Sequence, residues 1–252
     1  MNRKNLIIIV TIALIAALSL TACSAENGTS QTRNKDKSDA YVFPEYTGSE
    51  PMDWEDAVAF YQIPDDVLKD MSTDGLIETC LSYPLFADKM IASNESMYSG
   101  FLDTCEQFNG LAELLKREDS PQKLAEIYTQ GKLDEIVSSD SYSILRMRFL
   151  EYTIAQDDIL FRLSESERAS LCKACIGRFE SVRKDYEGHL PPDSTLLIAS
   201  KILSVDNDNF KKLVKEYPGI DAFNHYGLLD STTIESAQKV ISFIDEQEGI
   251  NK

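Results

Sequence analysis

The sequence predicts an all-α protein, and three observations lead to that prediction. From Trp54 onward, apolar residues recur at three- and four-residue spacings, which is the period of an amphipathic helix. Residues that start and end helices separate these segments at short intervals. No run alternates apolar and polar residues as a strand would, and no Asn-Gly pair lies between β-branched runs. Short connections favour antiparallel neighbours, so we expect either an antiparallel helix-pair array or a compact orthogonal helical bundle.

The first element is a leader with the features of a bacterial lipoprotein signal peptide. Arg3 and Lys4 precede an apolar-to-small run, Leu6 to Leu20, which is shorter than the roughly 20 residues that span a bilayer. A Leu-Thr-Ala-Cys lipobox follows, and the small Ala22 gives a peptidase access to the bond before Cys23. We therefore predict acylation of Cys23, by chains such as palmitate, and anchoring at the extracytoplasmic face of the cell membrane. The alternatives are an ordinary secretory signal and a short anchor helix.

The domain organisation follows from composition. Residues 1–22 form the predicted signal peptide, residues 23–45 the lipidated cysteine with a flexible tether, and residues 46–252 a single helical domain. The stretch 24–40 contains no large apolar residue and cannot bury enough surface to offset its ordering entropy. Tyr41, Phe43 and Tyr46 then bring aromatic rings, which we expect to form an extended arm packed on the domain.

Helices in the first half are delimited by caps and prolines. Asp65 and Asp66 after Pro64 suit a helical first turn. Further starts are predicted at Ser72 or Thr73 and at Ser120-Pro121, and ends at Tyr83-Pro84 and Asn109-Gly110.

The second half has longer helical patterns. A stripe from Tyr142 to Leu163 predicts one long, central helix that is buried on more than one side. Capping boxes at Ser164–Glu167 and Thr232–Glu235 predict two helix starts. Gly188 and Pro218-Gly219 are predicted to end helices.

Two segments carry a resemblance to other proteins. The runs Tyr61–Pro84 (YQIPDDVLKDMSTDGLIETCLSYP) and Phe108–Asp119 (FNGLAELLKRED) resemble two signatures of a group of uncharacterised exported or lipid-anchored proteins of gut Firmicutes and Bacteroidetes. Together they cover the region from Tyr61 to Asp119. The resemblance implies secretion and a helical domain, and it brings no activity, substrate or catalytic residue with it.

Charge excludes some partners. Without residues 1–22, the chain has 23 Lys and Arg against 42 Asp and Glu. Nucleic-acid binding is not expected, because phosphate contacts need clustered cations. Adhesion to anionic lipid by charge is not expected either, so the predicted membrane contact is the lipid at Cys23.

Cysteines and histidines are the strongest candidates for chemistry. Cys172-Lys-Ala-Cys175 lies well inside a predicted helix, so we interpret it as two structural thiols rather than a redox pair or half a zinc site. Disulfides involving these residues, Cys80 or Cys105 remain open at this stage. His189 and His225 are the only histidines, each in a predicted loop, and no G-x-S-x-G element accompanies them.

The acidic pairs suit helix geometry better than catalysis or metal binding. Asp157 and Asp158 are adjacent on a helix and face about 100° apart, so they do not form a glycosidase pair. Asp206-Asn-Asp-Asn209 resembles the start of a calcium loop, but Lys211 occupies the position that requires glycine. It suits a helix N-terminus, and no metal or cofactor is predicted.

The leading functional hypothesis is a binding module. Trp54, Tyr61 and Tyr83 are the candidate ligand-binding residues, as part of an aromatic surface, with core packing as their alternative. The ligand would be a protein, a peptide or a small molecule. The alternative is a helical hydrolase or other enzyme using scattered carboxylates and His225, and a third class is a structural or quality-control factor at the membrane.

Overall fold

The computed structural model describes residues 38–93, 96–130, 143–183 and 193–248, in which fourteen helices and no strands occur. The predicted all-α class is confirmed. In the first half the helices are α1 (Trp54–Phe60), α2 (Asp65–Asp70), α3 (Thr73–Leu81), α4 (Phe86–Ala92), α5 (Met97–Gln107), α6 (Asn109–Lys116) and α7 (Ser120–Thr129). In the second half they are α8 (Ser143–Ile154), α9 (Asp157–Leu160), α10 (Glu165–Arg183), α11 (Asp193–Asp206), α12 (Asp208–Glu216), α13 (Gly219–Tyr226) and α14 (Ser231–Glu248).

Helix α11 is the centre of the second half. It packs against α8, α10, α12, α13 and α14. Its residues from Asp193 to Ser200 are all buried, including the polar ones, because neighbours cover it on several sides. Successive helices also pack closely on each other, most extensively α10 on α11, α13 on α14 and α4 on α5. Both the array and the bundle interpretations fit this packing.

The chain before α1 forms an arm on the domain surface. The Asp39 carboxylate accepts hydrogen bonds from the backbone N–H and the hydroxyl of Ser72, each at 2.7 Å, at the start of α3. The Tyr41 N–H donates to Thr79 Oγ1 at 2.8 Å. The expected aromatic arm is therefore present. Residues 38–45, which composition assigned to the tether, belong to the same compact unit as the helices.

Aromatic rings fill the core beneath this arm. The ring of Phe43 lies 5.8 Å from that of Tyr83 and 6.0 Å from that of Phe108. Tyr83 and Phe108 are stacked with their centroids 4.0 Å apart, and both are buried. Burial of several rings is a large apolar contribution, so the arm adds to the stability of the first half.

The prediction of one long helix from Tyr142 to Leu163 is wrong, because the structure breaks this segment into two helices. Helix α8 ends at Ile154, Gln156 adopts an extended conformation (φ −67°, ψ 137°), and the short α9 follows. One distant and one local side chain stabilise the break: Lys201 Nζ donates to the Ala155 carbonyl at 2.8 Å, and Gln156 Nε2 donates to the Tyr152 carbonyl at 2.8 Å. These contacts satisfy carbonyls that an unbroken helix would have bonded itself.

The stop predicted at Asn109-Gly110 is also wrong, because these residues begin α6. Helix α5 ends earlier, with the extended Phe108 between the two helices. The Asn109 side chain bonds both the N–H and the carbonyl of Ile63, at 3.0 and 2.7 Å. A Cβ at Gly110 would collide with Phe108 and Ile63, so glycine is required there for close packing rather than for a turn.

The capping predictions are partly confirmed. Ser164 and Glu167 form a reciprocal box, in which the Ser164 N–H donates to Glu167 at 2.7 Å and the Glu167 N–H donates to Ser164 Oγ at 3.3 Å. The second box lies at Asp230 and Thr233 rather than at Thr232–Glu235: the Thr233 N–H donates to Asp230 at 2.9 Å, and the Asp230 N–H donates to Thr233 Oγ1 at 2.9 Å. A charged carboxylate, as at Asp230, accepts hydrogen bonds from the N–H groups of a helical first turn better than the Thr232 hydroxyl would.

Several predicted features lie outside the described residues. They are the signal peptide, Cys23, most of the tether, Gly188 and His189. Among the helices that the structure does describe, none combines the length and apolarity needed to cross a bilayer.

Candidate functional site

An open cleft lies where α9, α11 and α13 meet. Its volume is about 290 Å³, near the lower end of the range for small-molecule sites. The lining side chains come from the region around α9 and from the ends of two longer helices: Asp157, Phe161, Lys201, Ser204, Val205, Asp221, Asn224 and His225.

Helical spacing explains why these residues share one cleft. Asp221, Asn224 and His225 are spaced by three and four residues along α13, so they lie on the same face. Helix α13 ends at Tyr226, and the next residue, Gly227, has a φ of 67°, in the left-handed region that favours glycine. His225 therefore lies in the last turn of a helix, and the prediction that placed it in a loop is wrong.

Close packing of α13 on α14 holds this face in place. A Cβ at Gly219, the first residue of α13, would collide with Ser236 Oγ and lie 3.1 Å from Thr232 Cγ2. The glycine allows the start of α13 to approach α14. The face of α13 that carries His225 is thereby positioned by packing that is remote from the cleft.

Lys201 serves as a structural clamp at one side of the cleft. Its ammonium donates to the Ala155 carbonyl and to Asp157 Oδ1, both at 2.8 Å. Its side chain is 11% exposed, whereas that of Asp157 is 70% exposed. Because two oxygens already engage the ammonium, Lys201 joins α11 to the break between α8 and α9.

Asn224 presents an acceptor that has no partner in the described ranges. Its Nδ2 donates to Ser204 Oγ at 3.0 Å, and Ser204 Oγ in turn donates to the Ser200 carbonyl at 2.8 Å. This chain of hydrogen bonds fixes the orientation of the amide. Asn224 Oδ1 is buried, and no group in the part of the chain that the structure describes donates to it. A buried acceptor without a donor is unfavourable unless water or a ligand satisfies it.

His225 lacks the contacts of a catalytic histidine. Its exposed imidazole meets the Tyr226 ring edge to face, with centroids 4.6 Å apart. Within residues 38–93, 96–130, 143–183 and 193–248, no carboxylate or hydroxyl forms a hydrogen bond with it. A general base needs a proton donor within hydrogen-bond reach and an orienting group behind it. His225 and the carboxylates Asp157 and Asp221 share the cleft without that arrangement.

The aromatic residues predicted to bind a ligand lie away from this cleft. Tyr83 is 2% exposed and belongs to the core. Trp54 is 38% exposed, with Lys89 Nζ 4.9 Å from its ring centroid and Gln107 Oε1 accepting from its Nε1 at 3.2 Å. Tyr61 is half-buried and packs edge to face on Phe60. Accessible ring surface therefore remains at Trp54 and Tyr61.

The four cysteines of the domain have free thiols. Burial raises the pKa of Cys172 to about 11 and that of Cys105 to about 12. It also raises the pKa of Cys80 and Cys175, which are fully buried. High pKa values disfavour the thiolate that redox and metal chemistry use. In the described ranges, no group of three His, Cys, Asp or Glu side chains could hold a metal ion.

A buried polar cluster around Glu151 was not predicted from the sequence. The Glu151 carboxylate is 0% exposed and accepts from Tyr128 at 2.9 Å, Thr195 at 2.7 Å and Ser194, with Arg178 Nε 3.5 Å away. Burial raises the pKa of Glu151, while these hydroxyls and Arg178 oppose the rise. The burial of Glu151 could have been inferred from the apolar pattern of its helix. That pattern predicts burial on several sides, which leaves Glu151 no face toward water.

A second ion pair continues this polar layer toward α5. Asp193 accepts from Tyr152 Oη at 3.0 Å and from Arg148 Nη1 at 3.2 Å. Both clusters tie α8 to the first turn of α11. We assign both clusters a structural role, because their hydroxyl and guanidinium groups bond carboxylates that join these helices.

Comparison with other proteins adds no assignment. No known protein family, curated protein or solved structure matches this chain.

Proposed function

We propose that this protein is a lipid-anchored, extracytoplasmic binding module. Its helical domain captures a ligand in the cleft formed by α9, α11 and α13, and it does so without turnover. The anchor is the predicted acyl group on Cys23.

The arrangement of the cleft supports this proposal more than any other observation. The cleft combines exposed apolar side chains, Phe161 at 41% and Val205 at 43%, with polar groups of both charges. Small-molecule sites combine apolar surface with a few placed polar groups in this way. Lys201 and Asp157 form an ion pair with each other, and no hydroxyl or carboxylate of the described chain forms a hydrogen bond with His225. These features suit recognition better than bond cleavage.

A fragment screen by NMR tests the cleft as a binding site. The full-length chain, purified in a nonionic detergent, would be titrated with a library of anionic, neutral and cationic fragments. We expect a subset to shift the amide resonances of residues 200–206 and 219–227. Val205→Asn should weaken those shifts by replacing part of the apolar wall with a neutral polar group, whereas Val42→Asn, at an exposed valine on the arm, should leave them unchanged. A library without any hit in the cleft would overturn the proposed site.

Metabolic labelling tests the anchor. A palmitate analogue should tag the wild-type chain in a bacterial host and should not tag Cys23→Ser. The Ser variant should leave the membrane fraction, because the acyl chains supply the stable attachment. If Cys23→Ser stays tagged and membrane-bound, the lipobox interpretation is wrong.

A hydrolase is the second candidate, because His225 shares its cleft with Asp157 and Asp221. Apo sites often have loose catalytic hydrogen bonds that tighten when substrate binds. A panel of ester, amide and glycoside substrates tests this alternative. Reproducible hydrolysis that His225→Ala abolishes, with the helical circular-dichroism spectrum retained, would establish the enzyme and refute binding without turnover.

A further inference from the structure

We infer that the cleft binds a ligand with an organic ammonium or guanidinium group on an apolar stem. This inference rests on the proposed function and names the ligand class of the same site. Charge, hydrogen-bonding capacity, helix orientation and the apolar wall of the cleft each contribute to it.

Charge favours a cation. Asp157 is neutralised by Lys201, whereas Asp221 forms no ion pair with any residue that the structure describes. Among Asp157, Asp221 and Lys201, the cleft therefore has one more negative charge than positive charges. The whole chain also carries a formal net charge of −17, which attracts small cations and repels anions.

Hydrogen-bonding capacity favours a ligand that donates. The exposed Asp221 carboxylate can only accept hydrogen bonds. The strongest donor of the cleft, the Lys201 ammonium, is already engaged by two oxygens. The Ser204 hydroxyl already donates its hydrogen bond to the Ser200 carbonyl. An ammonium or guanidinium group supplies a donor for the Asp221 carboxylate, whereas a carboxylate or phosphate would find few donors in the cleft.

Helix orientation adds a third argument. Ser204 and Val205 lie in the last turn of α11, and Asn224 and His225 lie in the last turn of α13. Two C-terminal helix ends therefore border the cleft. The C-terminus of a helix carries partial negative charge, which favours cations and disfavours anions.

The apolar wall determines the rest of the ligand. Phe161 and Val205 are large apolar side chains at the cleft with over a third of their surface exposed. An alkyl or aryl stem covers them and removes that surface from water. The Phe161 ring can also receive a cation on its face.

A matched series of five-carbon probes tests the ligand class. The probes are pentylammonium, pentanol and pentanoate, each titrated into the full-length chain in nonionic detergent and followed at the amides of residues 200–206 and 219–227. We expect pentylammonium to bind about tenfold more tightly than the other two, as a charge-assisted hydrogen bond predicts.

Substitutions at Asp221 provide the controls. Its side chain is exposed, so the fold should tolerate replacement. Asp221→Asn should weaken pentylammonium binding by about threefold to fivefold, the range for an exposed charge pair. Asp221→Lys should abolish amine binding and allow pentanoate to bind. Asp66→Asn and Asp66→Lys make the same charge changes at an exposed position on α2 and should change neither affinity.

The outcomes separate the inference from the proposed function. Pentanol or pentanoate binding the wild-type cleft as tightly as pentylammonium would overturn the ligand class and leave the cleft as a site. Pentylammonium shifts that fall outside the cleft, that are absent, or that Asp221→Lys does not reduce would also overturn it. The proposed function fails separately, if no fragment of any charge binds in the cleft.

Discussion

Asp39 and Glu151 are two carboxylates that join distant parts of the chain, one in each half of the domain. Asp39 is exposed, and hydrogen bonds from the backbone and hydroxyl of Ser72 lower its pKa. Glu151 accepts three hydroxyl hydrogen bonds and lies near Arg178, yet burial raises its pKa. Similar hydrogen bonding therefore accompanies opposite shifts. Solvent access decides the sign, because removing water from a carboxylate disfavours its charged form more than the donors favour it.

The surroundings of Asp39 and Glu151 also differ in how far their polar groups are buried. Around Asp39, the interior is aromatic. The bonds of Asp39 to Ser72 lie at an exposed helix start, and the Tyr41 N–H bonds the buried Thr79 hydroxyl. Around Glu151, polar groups from α7, α8, α10 and α11 converge inside the core. The first half should thus tolerate loss of a single polar group, and the second half should not.

The largest effect is expected for Glu151→Ala. It leaves Tyr128, Ser194 and Thr195 with buried hydroxyls that lack an acceptor, and it leaves Arg178 without its buried partner. We expect a loss of about 3–5 kcal/mol in the free energy of unfolding, measured by urea denaturation. Glu235→Ala, at an exposed position on α14, should change stability by less than about 0.5 kcal/mol. A small loss for Glu151→Ala would mean that the cluster contributes little.

Wild-type protein and Glu151→Gln should differ in how their free energy of unfolding depends on pH. Because the folded-state pKa of Glu151 is raised, its contribution to stability is fully present below the ordinary value of 4.5 and is lost as pH rises through the folded pKa. The glutamine side chain of the variant does not titrate. As pH rises, the free energy of unfolding of the wild-type protein should therefore fall relative to that of the variant. Urea unfolding of both proteins at a series of pH values measures this. A difference that is independent of pH would contradict the raised pKa.

An intermediate effect is expected beside the Glu151 cluster, at Cys172 and Cys175. Cys175 is 0% exposed and Cys172 is 7% exposed, on adjacent ridges of α10. The double change to Ala should lower the free energy of unfolding by about 1–2 kcal/mol through lost packing and leave ligand binding unchanged. Stoichiometric zinc in the purified protein, released by the double substitution, would show instead that these thiols bind metal.

The smallest effect is expected for Asp39→Asn. Its lowered pKa means that its contribution is present above the ordinary value of 3.8 and is lost as pH falls through the folded pKa. We expect a loss below about 1 kcal/mol at neutral pH, as for an exposed helix-start carboxylate, and none at strongly acidic pH. Hydrogen exchange of the Tyr41 amide reports the arm directly. Equal protection in both proteins at neutral pH would show that Asp39 does not hold it.

Much of the fold was predictable because its signals are local. Apolar spacing, the Ser72 and Ser164 caps and the Pro64 and Pro121 helix starts depend on residues within one or two turns. The predictions failed where a distant group intervened. The break after α8 depends on Lys201, 46 residues from Ala155, and the start of α6 depends on Asn109 bonding Ile63, 46 residues away.

The candidate site was less predictable than the fold. His225 and Asp157 were recognised as titratable residues, but 44 residues separate Asp157 from its partner Lys201, and no spacing rule joins α9 to α11. Trp54, Tyr61 and Tyr83 were grouped because they are aromatic. The stacking of Tyr83 on Phe108 is a tertiary contact that composition does not reveal.

The helical class and several caps follow from the sequence, because periodicity and capping depend on backbone geometry over a few residues. The lipoprotein leader ending at Cys23 stays a prediction from the sequence. Tertiary structure alone decided that Glu151 is buried, that Tyr83 belongs to the core, and that α11 and α13 bring their C-terminal ends to one cleft. These properties depend on which surfaces exclude water, and that is settled only when segments far apart in the chain pack together.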